Sequence, residues 1–314
     1  MRKFLLDSLR LLRPRQWVKN LAIYAALLFS QKLFDPPLFQ QVSLGFIAFC
    51  AISSAVYTVN DILDVDKDRL HPFKHKRPLA NRDLPIGYAL VLAIILIIFS
   101  FYISLSLNFA FFLLIVAFLL LQFSYSLLLK QIAIMDIMVL ATGYIVRVYG
   151  GELITHSHIS VWLFLTTISL ALFLAVGKRR RELTLISGYS STQIASVRKS
   201  LSQYSENLLD MYAAVFATSA FIMYSLFTSS VSPQITNSLL LPDFLPQQFQ
   251  RKWLMLTILP VVYGLMRYLQ DIYEKHEGES PERVLFTDRQ LLATVLVWVI
   301  LVILIVYGLQ YSPQ

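Results

Sequence analysis

IGYALVLAIILIIFSFYISLS, residues 86–106, is followed after two residues by FAFFLLIVAFLLLQFSYSLLL, residues 109–129, and neither run holds a charged side chain. As helix, about 17 apolar residues are enough to cross the ~30 Å of hydrocarbon in a bilayer. The pair therefore reads as two membrane helices joined by a tight turn at Leu107-Asn108. The same test along the chain finds apolar segments at 17–34, 42–60, 86–106, 109–129, 132–150, 159–177, 207–229, 253–270 and 290–310. In lipid only helices or closed barrels satisfy every backbone polar group, and unbroken apolar runs lack the alternation of a barrel strand. The expected fold is all-α: a polytopic membrane protein of nine transmembrane helices. Composition points the same way, because 57% of the 314 residues are apolar and 15% are charged, too greasy for a water-soluble domain.

Charge distribution orients the bundle. With the N-terminus in the cytoplasm, every Lys and Arg falls on the cytoplasmic side except Lys32, Arg251 and Lys252 outside and Arg147 within a span. The expectation is a multi-pass protein of a bacterial inner membrane, N-terminus in and C-terminus out. The basic, amphipathic start has no small-residue cleavage site after it and is read as retained. Orientation accounts for the net charge of +8, and no interleaving of basic and aromatic residues suggests nucleic acid as a partner. Cys50 stands alone, which excludes a disulfide framework and a thiolate metal site within one chain. No linker divides the sequence, so residues 1–314 form one unit, compatible with a monomer or a homo-oligomer. Its charge-dense loops, about 61–85 and 178–206, follow the second and sixth spans and hint at a duplicated unit with an active-site loop in each half.

The first of these loops opens on Asn60-Asp61-Ile-Leu-Asp64-Val-Asp66-Lys67-Asp68-Arg69. If helix continues through it at about 100° per residue, Asn60, Asp64 and Asp68 share a face within ~80°, Asp61 lies at ~100° and Asp66 points away. Carboxylates so crowded raise one another's pKa unless a cation sits among them. An all-oxygen donor set without His or Cys suits Mg²⁺, which keeps waters and substrate phosphates in its shell. Asn60, Asp61, Asp64 and Asp68 are the candidate metal ligands. The neighbouring His71, Lys74, His75, Lys76, Arg77 and Arg82 supply cations for a phosphorylated ligand, or else hold the inner face by charge alone.

The Asn60-Asp61-x-x-Asp64-x-x-x-Asp68 pattern resembles the first Asp-rich motif of the UbiA superfamily of intramembrane prenyltransferases. Arg13-Pro14-Arg15-Gln16-Trp17-Val18-Lys19-Asn20, the run from Asn60 to Pro78, Gly177-Lys178-Arg179-x-x-Glu182-Leu183, Val197-Arg198-Lys199-Ser200-Leu201, Arg267-Tyr268 and Gly278-Glu279-x-Pro281-Glu282 are similar to its decaprenyl-phosphate phosphoribosyltransferase branch. The resemblance implies a UbiA-like bundle. The implied reaction is Mg²⁺-dependent transfer of 5-phosphoribose from phosphoribosyl pyrophosphate (PRPP) to a polyprenyl phosphate, with release of pyrophosphate. It also implies that a second DxxxD motif is to be expected in the other half. Here Lys178-Arg179-Arg180-Arg181-Glu182 stands in its place, and a basic run favours phosphate oxygens directly. The alternative is transfer of a prenyl chain from its diphosphate to an aromatic acceptor; a transporter is disfavoured because the charges gather at the membrane edge rather than its midplane.

The expected catalytic residues are Asp61, Asp64 and Asp68, and the expected substrate contacts are Lys19, Asn60, Arg69, Lys74, Arg77, Tyr125, Lys130, Arg147, Lys178 and Arg181. By helical spacing Lys178, Arg181 and Glu182 share a face while Arg179 and Arg180 turn away. Asp136, Gly143, Tyr144, Arg147 and Gly150 form a stripe on the fifth span, read either as facing the cavity or as a small-residue packing face. Arg267 and Asp271 are spaced for an intrahelical pair or a site role, and His156 and His158 are loop residues on the outer side.

Overall fold

The computed structural model describes residues 2–70, 74–185, 200–230, 253–273 and 281–308, and every regular element among them is helical. The chain opens with α1 (Arg2–Leu12), an amphipathic helix that buries Asp7 and Leu11 and exposes Phe4, Leu5, Leu6 and Leu9. That surface suits a helix lying in the membrane interface. A 3-10 segment, Pro14–Tyr24, leads into the short α2 (Ala25–Phe29). The membrane bundle follows: α3 (Pro36–Leu63), α5 (Ile86–Leu107), α6 (Phe109–Leu127), α7 (Met135–Thr155), α8 (Val161–Leu185), α9 (Glu206–Ser230), α10 (Ile258–Tyr273) and α12 (Arg289–Ile303), which runs on as a π turn to Gly308. Two short helices, α4 (Val65–Leu70) and α11 (Pro281–Thr287), lie at one end.

Seven helices, α3, α5 to α9 and the Arg289–Gly308 stretch, are long and apolar enough to cross a membrane. The other two expected spans, 17–34 and 253–270, fall on broken elements: Pro14–Tyr24 with α2, and the 3-10 turn Trp253–Thr257 with the 16-residue α10. Pro14 at the first turn and Pro260 near the start of α10 are where helices accept proline without losing a backbone bond. On the outside of the bundle α5 and α6 expose Ile94, Ile95, Ile98, Leu105, Leu113 and Leu120, an apolar belt that lipid covers and water would not tolerate.

Among the described residues, two large apolar cores and two smaller ones fill the interior. One large core gathers Ile23, Phe49, Ile52, Phe111, Ile115 and Ile154, the other Ile137, Phe173, Val176, Leu201, Leu209 and Ile272. α7 contributes to both, Ile154 to the first and Ile137 to the second, and so joins the halves. Close approach is needed there: a Cβ on Gly151 would lie 2.0 Å from the backbone oxygen of Ile23, so only glycine lets the 3-10 segment press against α7. The 28 residues of α3 make a helix of ~42 Å, longer than the hydrocarbon is thick, so its last turns, which carry the acidic motif, reach beyond it. Among the described residues the large ion-pair clusters collect at this end, while neutral contacts such as Asn108 to the Leu153 carbonyl (3.1 Å) and Tyr307 with the Leu33 amide (3.0 Å) tie the other.

Candidate active site

α3 stops at Leu63 and α4 begins at Val65, yet the Asp64 amide donates to the Asn60 carbonyl at 3.0 Å and the Asp68 amide to the Asp64 carbonyl at 2.8 Å. The i to i−4 pattern therefore carries the helical phase across the break. Asp61 and Asp68 turn inward, 3% and 5% exposed, and the Asp66 side chain faces solvent. Each inward carboxylate meets a cation from a distant part of the chain. Arg13, in a left-handed conformation with its guanidinium over the Tyr57 ring, donates to Asp61 at 2.5 Å. Arg77 reaches Asp61 at 3.0 Å and Asp68 at 2.6 Å through the same nitrogen, Nη1. Lys130, in the 3-10 turn after α6, grips both oxygens of Asp64 at 3.0 Å. Asn60 is half-buried, and its side chain makes no hydrogen bond among the described residues. Arg69 stands apart and pairs with exposed Asp66 at 2.9 Å. His71 and the side chains of Lys67 and Lys74 lie outside the described residues.

The C-terminal end of α8 carries a second cluster of charged side chains. Arg179, expected to turn away, is fully buried. It lies 2.6 Å from Asp136, pairs with Glu182 and donates to the Tyr125 hydroxyl at 2.8 Å. α8 is flanked by both α7 and α9, so a face turned from the cavity is still inside protein and needs a partner there. Asp136 also accepts from Tyr204 at 2.7 Å and Ser200 at 3.1 Å, which makes it the hub of a buried network at this end of the bundle. Burial and the bond to Asp136 hold the Tyr204 phenol above its usual pKa, keeping it a donor. Tyr125, an expected substrate contact, belongs to this network.

Arg147 also serves the scaffold. It is 5% exposed, donates to Asn20 at 2.6 Å, to Ser53 at 3.1 Å and to the Gly143 carbonyl, and lies between the Phe49 and Phe118 rings. A Cβ on Gly150 would come within 2.9 Å of Phe49, so at Arg147 and Gly150 the α7 stripe packs and hydrogen-bonds, while Tyr144 lies under Lys19. Arg267 pairs with Asp288 at 2.7 Å, and Arg181, buried on α8, donates to the Asp271 carbonyl at 3.3 Å; the expected Arg267–Asp271 pair is replaced by contacts between helices.

Between the two clusters lies a third group. Lys19 is 2.9 Å from Glu282 on α11, donates to Gln16 at 2.7 Å and sits over the Tyr144 ring. Lys178 on α8 is within electrostatic reach of Lys19, Arg179, Glu182 and Glu282, and makes no hydrogen bond or ion pair among the described residues. Burial alone would raise the Glu282 pKa, but Lys19 and Lys178 outweigh it and hold the carboxyl below the ordinary value. One lysine pairs with this carboxylate and a second lies within electrostatic reach of it, cations of the kind that bind phosphate oxygens. Glu282 and Arg13 were not among the expected site residues, although both stand in motifs that carried the family resemblance.

The acidic motif's donor set is all oxygen, the chemistry Mg²⁺ prefers. Among the described residues no three acidic, His or Cys side chains are grouped to hold a metal ion, because Arg77 and Lys130 part the carboxylates. Yet Asp61 and Asp68 converge on a single cationic nitrogen of Arg77, so these two carboxylates are close enough to share one positive charge.

Fold and site together define a multi-pass helical membrane protein with clusters of paired charges at one end. A family model described as the UbiA prenyltransferase family matches residues 21–289, and the chain belongs to that family of membrane transferases. It is 30% identical over 303 residues to the decaprenyl-phosphate phosphoribosyltransferase of Corynebacterium glutamicum, covering 95% of this chain and 86% of that protein. To the protein of the same name from Mycolicibacterium smegmatis it is 32% identical over 295 residues, covering 93% and 89%. Among solved structures, a UbiA homolog from Archaeoglobus fulgidus bound to GPP and Mg²⁺ superposes with a TM-score of 0.67 at 17% identity, over 96% of this chain and 99% of that one.

Proposed function

We propose that this chain transfers 5-phosphoribose from PRPP to a polyprenyl phosphate, releasing pyrophosphate, on the cytoplasmic face of a bacterial inner membrane. The observation that carries the reading is Lys19, paired with Glu282 at 2.9 Å, with Lys178 in electrostatic reach of both, where a second acidic motif would serve a metal-bound prenyl diphosphate. The names of the two relatives support it, at 30% and 32% identity over nearly the whole chain.

Asn60, Asp61, Asp64 and Asp68 would hold Mg²⁺. Bound there, the ion would offset negative charge on the departing pyrophosphate. Arg77 and Lys130 neutralise the carboxylates and can exchange to phosphate oxygens when substrate enters. Lys19 and Lys178 hold a phosphate against the mouth, and the aromatic face of Tyr144 limits where Lys19 can point. In the reaction the bond from the anomeric carbon to the pyrophosphate oxygen breaks and one from that carbon to an oxygen of the lipid phosphate forms. That oxygen is already anionic, so no side chain has to remove a proton. The polyprenyl tail stays in hydrocarbon, which avoids ~0.8 kcal/mol for each CH₂ exposed to water.

The test is incubation of the purified protein with Mg²⁺, radiolabelled PRPP and a polyprenyl phosphate. Label is expected in the organic phase, with none there when the ion is chelated. Retention of all label in water beside Mg²⁺, with prenyl transfer to an aromatic acceptor instead, would overturn the proposal.

A further inference from the structure

Glu282 is an unusual residue to find in a phosphate-binding mouth. It is 4% exposed, and its carboxylate comes from α11 into a space bordered by α8 and the 3-10 segment 14–24. The pair with Lys19 engages Oε2 at 2.9 Å, but neither carboxylate oxygen accepts a hydrogen bond from another residue among those described. Most other acidic side chains at this end are tied: Asp61 and Asp68 to arginines, Asp64 to Lys130, and Asp136 to Arg179, Tyr204 and Ser200. A buried carboxylate has about four acceptor positions, and leaving them empty is costly. Next to a site for a polyanion it also repels the ligand. A carboxylate in that position makes physical sense when the ligand brings hydroxyl donors as well as phosphates.

The surroundings fit such a ligand. Glu282 is in electrostatic reach of Lys178 and of the Tyr144 and Tyr268 phenols, which make no hydrogen bond among the described residues. Cations, phenol hydroxyls and a carboxylate tied only through Lys19 thus lie within electrostatic reach of one another. Adjacent hydroxyls of a pentose match the two oxygens of a carboxylate, the geometry by which acidic residues elsewhere hold ribose.

We propose that Glu282 is a specificity residue that accepts hydrogen bonds from the vicinal hydroxyls of the donor sugar, while Lys19 and Lys178 hold its phosphates. The assignment rests on the phosphoribosyl-transfer reading and adds the part of the donor that Glu282 reads. A carboxylate that only neutralised Lys19 would treat every anionic ligand alike; a hydroxyl acceptor separates ligands that carry the sugar from those that do not.

The experiment compares binding of PRPP and of free pyrophosphate, each with Mg²⁺, to the full-length protein and to Glu282→Gln. Loss of hydrogen bonds to a charged acceptor is expected to weaken PRPP binding roughly 10- to 100-fold. Pyrophosphate binding should change by less than about 3-fold, which is within the reach of a lost surface-type charge contact. The 2-deoxyribose analogue of PRPP should bind wild type more weakly than PRPP does, and Glu282→Gln should no longer tell the two donors apart. Glu282→Asp, which keeps the charge and the tie to Lys19, serves if the glutamine variant does not fold, and is expected to lose the same discrimination. Parallel changes for PRPP and pyrophosphate, or unchanged discrimination between the two donors, would overturn the Glu282 assignment alone. A wild-type protein that binds pyrophosphate but not PRPP would overturn the transfer reading with it.

Discussion

Replacing Asp136 by alanine removes the centre of the buried network that joins α7, α8 and the Ser200–Tyr204 turn. Asp136 and Arg179 are both fully buried, 2.6 Å apart, so the substitution leaves a guanidinium in the interior with Glu182, 25% exposed, as its remaining anion. Removing one partner of a buried pair costs about 3–5 kcal/mol, because the surviving charge is stranded away from water. The Tyr204 and Ser200 hydroxyls lose their acceptor as well, which adds on the order of 1 kcal/mol each, while Glu182 offsets part of the total. At roughly 2 °C per kcal/mol for a chain of this size, the unfolding midpoint of the detergent-solubilised protein is expected to fall by about 6–10 °C. The double variant Asp136→Ala, Arg179→Met removes both charges together. It should recover most of the loss, since an apolar pair of similar volume often replaces a buried ion pair at no cost. A single variant within 1–2 °C of wild type, roughly 1 kcal/mol on that scale, would refute the hub. So would a double variant no more stable than the single.

Gly151→Ala sets a Cβ 2.0 Å from the Ile23 carbonyl oxygen, a backbone atom that cannot step aside, so it should cost more than the ~1–3 kcal/mol of ordinary overpacking and lower the yield of monodisperse protein. Gly87→Ala, which meets nothing within 4 Å, is the control and should behave as wild type in the same size-exclusion assay. Lys178→Ala should raise the KM for PRPP or for the lipid phosphate by about 10-fold or more while the melting temperature holds, because Lys178 makes no pair whose loss strands a charge; unchanged kinetics for both substrates would remove it from the site. Because the folded pKa of Glu282 lies below the 4.5 of a free glutamate, its tie to Lys19 and Lys178 contributes stability that is fully present above that value. That contribution is lost as pH falls through the lower, folded value. Thermal stability measured below about pH 4.5 should therefore decline less steeply in Glu282→Gln than in wild type, and equal slopes would count against the tie.

The acidic motif was legible because its information is local. Four residues at i, i+1, i+4 and i+8 define a helical face whatever surrounds them, and the face survived the break between α3 and α4 because the i to i−4 hydrogen bonds continued through Asp64. The surroundings of Arg179 were not legible for the converse reason. Spacing says which residues share a face with Lys178, but whether the opposite face meets lipid, water or protein depends on α7 and α9, which spacing along α8 does not contain. Arg147 shows the same limit: its cost in an apolar span was plain, but its acceptors, Asn20, Ser53 and the Gly143 carbonyl, lie largely on other helices.

By itself the sequence determined that this chain is helical, lives in a bilayer and carries its charge at one end, since apolar run length and the distribution of Lys and Arg are one-dimensional quantities that the membrane reads directly. Tertiary structure decided which opposite charges meet. Arg13 finds Asp61 across 48 positions, Lys130 finds Asp64 across 66, and Lys19 finds Glu282 from near the opposite end of the chain. Ion pairing depends on distances of a few ångströms, and helix packing sets those distances.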